Sequence, residues 1–75
     1  MSAALMKGVL RGMGREVLCE LLVWKETVGN RPVYSQCRVV TAPLDLPDGE
    51  YVLLFDGRTV PAKKQGGWWA MEGLG

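Results

Sequence analysis

The sequence contains no histidine. That absence removes the usual general base near neutral pH and the commonest metal ligand. Cysteine is almost as scarce. Cys19 and Cys37 are the only two, fewer than a structural zinc site takes. Neither sign of charge dominates: nine Lys and Arg against eight Asp and Glu leave a formal net charge of +1. Such a balance excludes a protein that holds nucleic acid by bulk charge alone. Long apolar runs are missing too. The longest, such as Leu21 to Trp24 and Tyr51 to Phe55, fall far below the ~20 residues that span a bilayer. The opening Met1-Ser2-Ala3-Ala4-Leu5-Met6-Lys7-Gly8 lacks the basic start and apolar stretch of a secretory signal. The expected setting is therefore cytoplasmic, without membrane contact, with both cysteines as free, half-buried thiols.

What is present points to one small β domain over residues 1–75. A chain of this length buries only about 60% of the surface its unfolded form exposes, so its core is thin. A hydrophobic fraction of 48% with 23% charged residues excludes compositional disorder. Ten glycines and four prolines demand many turns, which suits short strands better than long helices.

Residues 5–26 admit two readings. As a helix, Met6, Val9, Met13, Val17, Leu21 and Trp24 share a face, and Lys7, Arg11 and Arg15 form a basic stripe. Gly8, Gly12 and Gly14 oppose that reading, at about 1 kcal/mol each relative to alanine. The glycines favour a hairpin around a three-residue turn, Gly12-Met13-Gly14. Val9 then faces Val17, and Arg11 faces Arg15. Two arginines placed so repel mildly and call for an anion nearby, Glu16, Glu20 or a ligand.

Further strands are expected over 16–27, 33–41, 50–55, 58–64 and 68–71. Gly29-Asn30, Asp56-Gly57 and Gly66-Gly67 supply two-residue turns between them. In the third strand, alternation puts Val33, Ser35, Cys37 and Val39 on one face. Tyr34, Gln36, Arg38 and Val40 fall on the other. A Gly29-Asn30 turn sets Cys37 opposite Leu22, too far from Cys19 for a disulfide. Residues 42–49, Ala-Pro-Leu-Asp-Leu-Pro-Asp-Gly, form a connector. Pro61 needs the last strand to stop before reaching it, because proline has no N–H for a central ladder.

No serine or cysteine has a base placed beside it by spacing, and no glycine-rich phosphate loop precedes a helix. The chain is therefore read as non-enzymatic, with no cofactor and no metal. An enzyme would have to build its site between subunits of a closed oligomer. Trp68-Trp69 is the most informative dipeptide. In a strand the two rings point to opposite faces, so that either one packs inside while the other lies on the surface as a contact platform, or a small barrel that needs large side chains buries both.

Gly-Gly-Trp-Trp-Ala-Met-Glu at 66–72 is similar to the Trp-Trp-x-Ala stretch after the n-Src loop of SH3 domains. The resemblance implies that Trp68 packs on proline-rich ligands. It covers about seven residues. The Ala-Leu-Tyr-Asp-Tyr-like opening, the acidic specificity loop and the Pro-Ser-Asn-Tyr segment of that family have no counterpart here.

The fold expected is all-β, a small SH3-like or OB-like antiparallel barrel or sandwich of five to six strands. The function expected is that of a protein-interaction module, an adaptor, inhibitor or small subunit, acting through an aromatic surface at Trp68 with Tyr34 or Trp24. The alternative is a nucleic-acid-binding barrel in which Arg38, Arg58, Lys63 and Lys64 surround Tyr34 or Trp68. Self-association into a homodimer would supply apolar burial that one thin core lacks.

Overall fold

The computed structural model describes residues 2–71, and it is all-β. Six antiparallel strands run in chain order: β1 (Ser2–Gly12), β2 (Arg15–Val28), β3 (Arg31–Thr41), β4 (Gly49–Phe55), β5 (Arg58–Gln65) and β6 (Trp68–Met71). They form one sheet in the order β3-β2-β1-β4-β5-β6. Two three-stranded meanders thus meet at β1 and β4, and the sheet curls until β3 comes beside β6. The result is a nearly closed barrel.

The glycine argument for a first hairpin holds, but its turn has two residues and not three. Met13 and Gly14 both take positive φ, 51° and 73°, the signature of a type I′ turn. Gly12 belongs to β1 and pairs with Arg15. The whole register therefore moves by one: Val9 faces Leu18, and Arg11 faces Glu16. The arginines do not oppose each other. Arg11 Nε donates to Glu16 Oε2 at 3.0 Å, while Arg15 reaches Asp45 in the connector at 3.2 Å. Gly12 is glycine for a packing reason. A Cβ there would sit 2.6 Å from the Glu50 carbonyl oxygen.

Gly29-Asn30 and Asp56-Gly57 turn as the sequence indicates, with positive φ at both central residues. Two irregularities in the β2–β3 ladder lie beyond simple alternation. Trp24 pairs with Gln36 and Lys25 with Tyr34, which leaves Ser35 unmatched. Glu20 pairs with Thr41 and Leu21 with Val39, which leaves Val40 unmatched. Each extra residue is a β-bulge. The first places Cys37 opposite Val23, not Leu22, and turns Tyr34 from the outer face into the core.

Leu10, Leu21, Val23, Leu53 and Val60 are fully buried at the centre of that core. Tyr34, Tyr51, Phe55, Ala62 and Cys19 complete it, and the connector dips back in at Leu46. The Tyr51 hydroxyl donates to the Pro47 carbonyl at 2.6 Å, which fixes the end of the connector. Val52 pairs with Pro61. Bonded and non-bonded pairs alternate from the Asp56-Gly57 turn, so the N–H that Pro61 lacks would face β6. The last described pair on that side, Ala62 with Met71, lies one residue short of it.

Candidate functional site

Between β3 and β6 the barrel is closed by side chains and not by a ladder. Cys37 Sγ and Met71 Sδ meet there at 3.8 Å. On either side run two strand edges whose outward faces are set by alternation. Gln36 and Arg38 point outward from β3, beside Trp24 on β2. From β6 Trp68 points outward and is 80% exposed, whereas Trp69 turns in and meets the Tyr51 ring edge-on at 5.4 Å. The opposite directions expected of the two tryptophans are therefore present. Trp24, Gln36, Arg38 and Trp68 line an open groove of about 430 Å³ along the seam. A second groove continues it past Val39 and Gly67 toward Pro43 and Leu44.

The other predicted residues separate. Tyr34 does not reach this surface, because the bulge at Ser35 inverts it. It is 5% exposed, stacks edge-to-face on Phe55 at 5.6 Å, and donates its hydroxyl to Asp56 Oδ2. Arg58 lies over the Tyr34 ring, with its guanidinium carbon 4.5 Å from the centroid, and Lys25 Nζ lies 5.1 Å from the same centroid. Lys64 faces inward on β5 and bonds Asp48 Oδ1 and the Gly66 carbonyl at 3.2 and 2.9 Å. Lys63 alternates outward on β5, opposite Glu50. Only Arg38 stands in the groove with Trp68, and it takes no part in the ion pairs among the described residues.

Asp48 fixes the β5–β6 turn that carries Trp68. Its carboxylate accepts the Gly66 N–H at 3.1 Å as well as the Lys64 ammonium. The backbone bond first, and Lys64 second, hold its carboxyl below the ordinary 3.8. A depressed carboxyl contributes stability that is full above the unfolded value and lost as pH falls through the folded one. Asp48→Asn is therefore expected to be less stable than wild type at neutral pH and equal to it in strong acid. Urea melts at about pH 7, 5 and 3 check this; a gap that does not shrink on acidification overturns it.

Both cysteines are free. Burial pushes the Cys19 thiol up to about 11 and raises Cys37 also, so both are protonated and poorly nucleophilic at neutral pH. Among the described residues no cluster of His, Cys, Asp or Glu could hold a metal ion. Comparison with known protein families, with curated proteins and with solved structures returns no match.

Reading the sequence missed Gln36 as a groove residue. Its signal was available, since alternation already placed it beside Arg38. That β6 lands next to β3 was not available, because nothing local in either strand specifies the other as neighbour.

Proposed function

We propose that the protein is a small interaction module that takes an extended segment of a protein partner along the β3–β6 seam. The observation that carries this reading is Trp68, 80% exposed on a strand edge that, among the described residues, no ladder joins to its neighbour. A large aromatic so placed offers apolar area at little conformational cost. Unpaired edges offer main-chain donors and acceptors to an added strand. Gln36 and Arg38 add polar groups on one side of the groove, and Arg38 would meet a carboxylate or a main-chain carbonyl.

The test is selection from a displayed random-peptide library, followed by titration of the winning peptide. Wild type is expected to select one family of sequences. Trp68→Ala is expected to keep its melting temperature, as its ring is outside the core, and to lose about 2 kcal/mol of binding, roughly thirtyfold in Kd. No selection, or equal affinity for Trp68→Ala, overturns the reading.

The nucleic-acid alternative has one observation in its favour, Arg38 beside Trp68. It has less support than the sequence suggested, because Arg58 is engaged at Tyr34 and Lys64 at Asp48. Quenching of Trp68 by single-stranded oligonucleotides, with a steep loss on adding salt, would displace the peptide reading in its favour.

A further inference from the structure

Among the described residues a second open edge lies within the sheet, along the first half of β1. β1 pairs with β2 throughout its length, from Ser2 with Lys25 to Gly12 with Arg15, with no break in register. On its other side β4 pairs only with Val9, Leu10 and Arg11. In a hairpin closed by a two-residue turn, bonded and non-bonded pairs alternate from the turn. Gly12, Leu10, Gly8, Met6 and Ala4 therefore direct their main-chain groups to β2. Ala3, Leu5 and Lys7 direct theirs away from it, Ala3 and Leu5 past the end of β4 and Lys7 beside the Asp56-Gly57 turn. Ala3 and Leu5 carry no proline, no bulge and no charge; the one blunting device on this edge is Lys7, whose charge faces Glu20 of its own chain. Leu5 is 62% exposed.

We propose that this edge pairs antiparallel with the same edge of a second copy, about a two-fold axis at Leu5. The register satisfies itself. Leu5 faces the second copy's Leu5, and Ala3 and Lys7 face Lys7 and Ala3, so all three outward-directed residues exchange hydrogen bonds, about six in total. A long side chain stands opposite a small one, and no like charges meet. The two lysines lie four residues apart along the strand, roughly 13 Å. Each keeps its own Glu20 as cross-strand neighbour, so the charge is compensated within each copy. On the outer face Leu5 pairs with Leu22 inside one chain, and the axis extends that pair into a continuous row of four leucines. A peptide of unrelated sequence would match the main-chain groups but not this symmetry. The edge lies apart from the Trp68 groove, so the inference stands independently of the peptide reading.

Sedimentation velocity from micromolar to millimolar protein, with tryptophan fluorescence and circular dichroism as controls of folding, tests it. Wild type is expected to shift from monomer to dimer with concentration. Leu5→Lys and Leu5→Glu each put like charges at the axis and are expected to stay monomeric, while their mixture dimerises. Under mild oxidation Leu5→Cys is expected to give a covalent dimer, because bonded antiparallel pairs have Cα atoms about 5.5 Å apart. Lys7→Cys, at roughly 13 Å from its symmetry mate, is not. A wild type monomeric at all concentrations overturns the proposal. So does a dimer that survives Leu5→Lys, or a Lys7→Cys link that forms as fast as the Leu5→Cys one.

Discussion

Tyr34→Ala is expected to lower the stability of the protein by about 3–5 kcal/mol, the range for removing a buried aromatic ring. A domain of this size holds only ~0.05–0.15 kcal/mol per residue in all, so much of the population should be unfolded near physiological temperature. The ring is 5% exposed, packs against Phe55, and is flanked by Lys25 and Arg58. Tyr34→Phe keeps all of that and loses only the bond from the hydroxyl to Asp56. It should cost about 1 kcal/mol, since that carboxylate remains in water. Urea denaturation of the two variants separates ring from hydroxyl. A Tyr34→Ala protein within about 1 kcal/mol of wild type would mean that the ring is dispensable to the core. Because Tyr34 lies away from the seam, Tyr34→Phe should bind the selected peptide as wild type does.

Gly12→Ala should be nearly as damaging, at about 3 kcal/mol, although it adds a single methyl group. Over-packing of a filled site costs roughly 1–3 kcal/mol, and backbone strain adds to it. The new Cβ would meet the Glu50 carbonyl oxygen at 2.6 Å and the Tyr51 Cα at 2.9 Å. Neither is the tip of a flexible side chain, so the strands themselves would have to part. Gly12 also has a φ of 159°, which an alanine tolerates poorly. Gly14→Ala provides the contrast, for no atom lies within 4 Å of its Cβ position. It should show the cost of the left-handed turn alone, about 1 kcal/mol. Equal losses for the two variants would mean that the β1–β4 junction is not close-packed.

Much of the fold could be read in the sequence because its signals are local. Asn30, Gly57 and Gly66 sit where tight turns need left-handed backbone, and β4 and β5 alternate cleanly. The first turn lies one residue from where the glycines alone put it, because two of them flank Met13 and the one that serves the turn is Gly14. Gly12 answers to a strand that comes much later in the chain. Tyr34 was misplaced for a similar reason. A bulge is one unmatched residue, and Ser35 carries no composition that marks it as such. The candidate site was half legible. Alternation exposed Trp68 and Arg38, but their meeting depends on how far the sheet curls. That is set by packing at Cys37 and Met71, and by no motif.

The order of the strands also bears on how the chain reaches its barrel. Four of the five ladders join neighbours in sequence through two-residue turns, and these can form early, each at small entropic cost. The fifth, Val9 to Arg11 against Leu54 to Val52, must bring together strands from opposite halves of the chain. Two preformed meanders would then dock through that short ladder, and their encounter is expected to limit the folding rate. Residues at this junction, Leu10 and Leu53 above all, would slow folding when truncated. Changes near the outer turns would mainly speed unfolding.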